Sequence, residues 1–157
     1  MKLKFCGFKT LDDVEKAKNL NIDAIGFIHY PKSKRFVDVQ TINQFTKCLP
    51  DDKEKVVIVV NPSKTTIFDL ITHTGITTIQ LHGDESLDTI NYIKQIAPQL
   101  KIIKALPAKD LATLQQSIIY FNKVLICLLS IHHLKILVAL EKFMIGRYLN
   151  HLAILNF

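Results

Sequence analysis

Short apolar runs alternate with amphipathic stretches along roughly the first 122 residues, and this rhythm constrains the fold more than any other feature of the chain. Strands are expected at Leu3–Cys6, Ala24–Ile28, Val56–Val60, Thr77–Leu81 and Ile102–Ala105. Each is short and apolar on successive residues, as strands covered on both faces of a parallel sheet are. Helices are expected between and after them, at about Leu11–Asn19, Gln40–Cys48, Thr65–Thr72, Ser86–Ile96 and Lys109–Phe121. Thr10 ahead of Asp12 and Asp13, and Pro62-Ser63 ahead of the third helix, are helix-start signals. Strand-helix units in series belong to an α/β protein, either an open doubly wound sheet or a (βα)₈ barrel. The first strand-helix turn, Cys6-Gly7-Phe8-Lys9-Thr10, lacks the G-x-G-x-x-G pattern, which disfavours a dinucleotide fold.

Bulk properties narrow the class further. With 157 residues, 48% hydrophobic and 22% charged, the chain can bury a continuous core. Cys6, Cys48 and Cys127 have neither disulfide-framework nor metal-ligand spacing, so a cysteine acts here as a thiol or as packing. The formal charge of +6 is dispersed among acids and comes with no nucleic-acid recognition motif, so a small anionic substrate is preferred over nucleic acid. The longest apolar run, Val124 to Leu129, is far below the roughly 18 residues of a membrane span. Gly7 and Lys9 interrupt the first apolar residues before a signal-peptide core forms, which makes the cytoplasm the expected location.

After Lys123 the texture changes. From Val124 to Phe157 the sole carboxylate is Glu141, and no Gly or Pro interrupts the Leu- and Ile-rich sequence before Gly146. The expectation is a partial barrel of about five βα units over residues 1–123, followed by an atypical hydrophobic, helical tail over 124–157.

In a (βα)₈ barrel the reactive groups sit at the C-terminal ends of the strands and in the loops that follow. Here those positions hold Cys6, His29, Arg35, Asn61, His82 and Lys104 to Leu106. A thiol, a guanidinium and an imidazole on one face suit proton transfer on an anionic substrate.

Several motifs fall in one order along these units: Lys4-Phe5-Cys6-Gly7, Asp23-Ala24-Ile25-Gly26-Phe27-Ile28, Tyr30-Pro31-Lys32-Ser33-Lys34-Arg35, Val60-Asn61-Pro62, Gln80-Leu81-His82-Gly83-Asp84-Glu85-Ser86 and Ile103-Lys104-Ala105. Together they resemble the phosphoribosylanthranilate isomerases of tryptophan biosynthesis over about three-quarters of the chain. The resemblance implies a (βα)₈ barrel and an Amadori rearrangement. In that reaction N-(5′-phosphoribosyl)anthranilate becomes 1-(2-carboxyphenylamino)-1-deoxyribulose 5-phosphate, without cofactor or metal. It also implies Cys6 as the general base at C2′, Arg35 as the ligand of the anthranilate carboxylate, and His82 lining the substrate site. A base of this kind needs a thiolate near neutrality in an electropositive, partly exposed place. For His82, donation to a backbone carbonyl is the alternative. Asn61 and Lys104 read as structural or supporting, and Cys48 as packing.

The family's general acid, an aspartate after the sixth strand, has no counterpart in Leu128-Leu129-Ser130-Ile131-His132-His133. Two later glycine-rich phosphate loops are not found, and the chain is shorter than the roughly 200 residues of small complete barrels. Re-reading each tail codon from its third base allows Ile-Asp-Thr-Pro-Ser from Leu129 to His133, Gly-Gly-Thr-Gly-Lys from Leu137 to Lys142, and Tyr-Asp-Trp from Phe143 to Gly146. Met144 has one codon and an Ile codon begins AT, so the Asp of the last motif is forced. The tail is therefore expected to be an out-of-frame sequence, with isomerase activity impaired. The competing expectation is a non-catalytic half-barrel that binds an anionic metabolite or pairs with another chain.

Overall fold

In the computed structural model, the described residues are 3–107, 125–129 and 152–154. The chain forms two compact units, Met1–Ile102 and Ile103–Phe157. The first contains β1 (Lys4–Cys6), α1 (Leu11–Ala17), β2 (Ala24–Ile28), α2 (Val39–Cys48), β3 (Glu54–Val59), α3 (Lys64–His73), β4 (Thr78–Leu81) and α4 (Leu87–Ile96). It ends in the start of β5 (Lys101–Pro107). The four strands pair in sequence order and all in parallel, with Cys6 opposite Gly26, Gly26 opposite Val56 and Val56 opposite Thr78. In the second unit β5 pairs in parallel with β6 (Leu125–Leu129), which pairs in parallel with β7 (Leu152–Ile154).

Local chemistry explains the helix starts. Thr10, Asp38 and Ser63 cap α1, α2 and α3, each side-chain oxygen accepting the N–H three residues on. The strands begin two residues earlier than expected at β3 and run two further at β5, because edge positions are settled by pairing rather than by apolar content. The helix expected at Lys109–Phe121 lies outside the described residues. The helical expectation for the tail is corrected at residues 125–129 and 152–154, which are strands. An apolar run as short as Leu125–Leu129 has no distinguishing period, and pairing with Ile103–Pro107 decides its state.

Alternation divides the β1–β4 sheet into two faces. Ile25, Phe27, Val57, Val59, Ile79 and Leu81 are fully buried and lie on the face that carries the helices, as the Phe27–Phe45 ring contact at 5.5 Å shows. The other face packs Ala24, Val56 and Ile58 with Cys6 and Ile28. It also carries Lys4, Glu54, Thr78 and Gln80.

Candidate active site

Cys6 ends β1 on the face away from the helices, where the register sets it beside Gly26 of β2. A Cβ at Gly26 would stand 2.6 Å from Cys6 Sγ and 3.0 Å from Ile58 Cδ1, so the missing side chain makes the space the thiol occupies. Lys4, two residues earlier, shares this face, and its Nζ donates to Gln80 Oε1 on β4. Thr78 Oγ1 donates to Glu54 Oε1 at 2.6 Å, and Lys101 Nζ lies 3.3 Å from the same carboxylate oxygen. Burial pushes the Cys6 thiol above its ordinary value, while the charge and hydrogen bond of Lys4, and then the charge of Arg35, pull it back. The electropositive surroundings expected for this thiol are present, but burial outweighs them.

Arg35 reaches the same place from the loop after β2. Ser33 N–H donates to Tyr30 O at 2.9 Å and Arg35 N–H to Ser33 Oγ at 3.1 Å, which folds Tyr30-Pro31-Lys32-Ser33-Lys34-Arg35 back on itself. Gly7 has φ +93°, and a Cβ there would meet Arg35 Cδ at 2.7 Å and Nη1 at 2.8 Å. Glycine is required twice over at this position, for its backbone angle and for the side chain lying across it. His29 belongs to the support of the loop: its Nδ1 is 2.8 Å from Val37 O and its ring lies 5.2 Å from that of Phe36.

His82 follows β4 with an exposed side chain, and its N–H donates to Val59 O at 2.9 Å. It shares the C-terminal end of the strands with Cys6 and Arg35. Beside it, the buried Glu85 carboxylate accepts N–H bonds from Asn61 at 2.9 Å and Gly83 at 3.0 Å. Asn61, in the left-handed region at φ 46°, accepts from Asp84 N–H at 2.8 Å. Asn61 and Glu85 thus tie the loops after β3 and β4 together. Lys104, in the second unit, is buried and donates from Nζ to Ala105 O at 3.3 Å. Cys48 is half-buried in α2.

A cavity of about 320 Å³ at the β1 edge is lined by Phe5, Cys6, Gly7, Phe8, Asp13 and Lys16, among others. A larger one, about 450 Å³, opens at the opposite, N-terminal ends of the strands beside Asp23, Glu54 and Lys101 and includes neither Cys6, Arg35 nor His82. Among the described residues no group of three His, Cys, Asp or Glu is placed to hold a metal ion. Among them, too, no helix is long and apolar enough to cross a membrane. Lys4, Gly26, Gln80 and Glu85 carry no functional signal of their own in the sequence. Strand alternation already puts Lys4 on the face of Cys6, but its contact with Gln80, two strands beyond its neighbour, is a long-range one that no local pattern carries.

The family model for N-(5′-phosphoribosyl)anthranilate isomerase matches residues 3–130. The chain belongs to the phosphoribosylanthranilate isomerase family. An isomerase of this family from Staphylococcus epidermidis is 53% identical over 108 residues, covering 69% of this chain and 52% of the relative. The chain thus spans about half the length of the curated relatives it matches. The crystal structure of phosphoribosylanthranilate isomerase from Thermotoga maritima aligns with TM-score 0.72 and 26% identity, over 85% of this chain and 63% of the other. A phosphoribosylanthranilate isomerase solved in complex with reduced 1-(o-carboxyphenylamino)-1-deoxyribulose 5-phosphate aligns with TM-score 0.75 and 26% identity, over 90% and 71%. The parallel strand-helix units are accordingly those of the (βα)₈ barrel of phosphoribosylanthranilate isomerases.

Proposed function

We propose that this chain carries the first half of the catalytic apparatus for the isomerisation of N-(5′-phosphoribosyl)anthranilate in tryptophan biosynthesis, a cytoplasmic reaction without cofactor or metal. The observation that carries the proposal is the convergence of Cys6 and Arg35 across Gly7, two groups far apart in sequence, at the C-terminal end of the strands. Cys6 as thiolate removes the C2′ proton of the ring-opened substrate. The planar fork of Arg35 binds the two oxygens of the anthranilate carboxylate. His82 lines the same substrate site. The complex of one relative with a reduced deoxyribulose phosphate supports an anionic, phosphorylated small molecule as the ligand.

The same reading treats residues 1–123 as a partial barrel and residues 124–157 as a sequence read out of frame. Leu128 to His133 offers no carboxylate where the family's acid stands, and the family match ends at residue 130. A positioned acid or base contributes roughly 10²–10⁴-fold, so the chain as written is expected to turn over substrate weakly or not at all. The test is growth without tryptophan of a bacterial strain lacking its own isomerase. The gene as written should fail, the gene with its frame restored after Lys123 should succeed, and Cys6→Ser in the restored gene should abolish growth. Strong turnover by the purified chain would overturn the impairment, and growth on the Cys6→Ser version would overturn the base. Re-sequencing around Lys123 decides whether the frame change is in the gene itself.

A further inference from the structure

Among the described residues, Lys4 is the one cation on the strand of Cys6 and on the same face. The two residues are separated by Phe5, which alternation turns to the other side of β1, so the Lys4 and Cys6 side chains stand on one face as neighbours along the strand. Gln80, 1% exposed, accepts a hydrogen bond from Lys4 Nζ across this face of the sheet, although β2 and β3 lie between their strands. Gly26 supplies no side chain between them, and Ile58 closes the apolar wall.

From these contacts we propose that Lys4 is a positioning residue for Cys6: anchored by Gln80, its ammonium holds the thiol group in place and stabilises the thiolate that accepts the substrate proton. The proposal rests on the reading of Cys6 as the base and adds the group that makes such a base workable. Lys4 keeps its three protons throughout; the proton from carbon passes to sulfur, and the ion pair formed by thiolate and ammonium becomes a neutral thiol beside a cation.

The charged groups around Cys6 allow this role to be isolated. From the loop after β2 comes Arg35, lying across Gly7. From α1, Asp13 and Lys16 line the cavity at the β1 edge. From β3, Glu54 shares the face, and Thr78 and Lys101 engage it. Gly26, Ile58 and Gln80 are uncharged. The direction of the thiol's shifts agrees: after burial, Lys4 is the largest influence on Cys6, ahead of Arg35.

The test is the pH dependence of Cys6 alkylation by iodoacetamide in the full chain, followed peptide by peptide by mass spectrometry so that Cys48 and Cys127 do not contribute. Lys4→Gln keeps a partner for Gln80 and removes the charge. It should make Cys6 alkylation about tenfold slower below the midpoint and move the midpoint to higher pH. Lys4→Arg should restore most of the rate, and Gln80→Leu should give a smaller loss in the same direction by releasing the ammonium. Thermal unfolding of each variant separates a lost fold from a lost charge, and the comparison of Gln with Arg at position 4 remains decisive if Gln80→Leu does not fold. A Lys4→Gln profile superimposed on that of the unsubstituted chain overturns the proposal while leaving the base assignment standing. Growth of the frame-restored Cys6→Ser strain would instead overturn the base with the titration unaffected.

Discussion

The two faces of the β1–β4 sheet come from the same strands, yet they follow different rules. On the helix side, Ile25, Phe27, Val57, Val59, Ile79 and Leu81 are sealed from water, and the main polar intruder, Lys55, sits at the edge beside Asp51. On the other side, Lys4, Cys6, Glu54, Thr78 and Gln80 share space with Ala24, Val56 and Ile58. Each polar group there has a partner, which is the condition for tolerating it at low exposure. The contrast teaches that one face holds the fold together through dispersion and exclusion of water, whereas the other gives up apolar packing to hold paired polar groups along its strands, with Cys6 at the C-terminal end of β1.

Substitutions can break this division, and the largest effect is expected on the helix side. Phe27→Ala removes a fully buried ring packed on Phe45 and should destabilise the chain by about 3–5 kcal/mol in urea unfolding, or abolish cooperative unfolding. At the rim, Glu85→Gln weakens a buried charged acceptor of the Asn61 and Gly83 N–H groups. It should cost about 2–3 kcal/mol by the same measurement and speed amide exchange at residues 61 and 83. Gly26→Ala would sharpen the contrast, because the added methyl meets Cys6 Sγ rather than a helix. A loss of about 1–3 kcal/mol is expected, together with a changed Cys6 alkylation rate. A substitution that altered stability alone would place the thiol elsewhere.

The smallest effect belongs to a position outside both faces. Asp38→Ala removes the cap that accepts Thr41 N–H at 2.7 Å and should cost about 1 kcal/mol at neutral pH. That hydrogen bond, before any other influence, holds the Asp38 carboxyl below its ordinary value of 3.8. Its contribution is therefore complete above the unfolded pKa and is lost as pH falls through the lower, folded one. Unfolding curves of the two proteins should converge under strong acid; a constant gap would rule out an ionised cap.

Much of this architecture is legible in the sequence. The strands β1 to β5 and the helices α1 to α4 follow from apolar runs, period and capping residues, with differences of one or two residues at most at most ends. That Cys6, Arg35 and His82 stand at or just after the C-terminal ends of strands was legible from the order of the units, together with His29, Asn61 and Lys104; the roles proposed for the first three come from the family resemblance. The tail was less legible: Leu125–Leu129 looks equally like a piece of helix or strand, and pairing with β5 settled it.

What the sequence by itself determined is the order of the strand-helix units, the face each strand residue takes, and the family, because all three depend on local spacing and residue identity. Tertiary structure alone decided which distant residues meet. Gln80 meets Lys4 because both stand on one face of a sheet with two strands between them, Arg35 crosses Gly7 because the loop after β2 folds back, and Gly26 opens a place for the Cys6 thiol because parallel register sets the two side by side. These are long-range juxtapositions, and no periodicity along the chain encodes them.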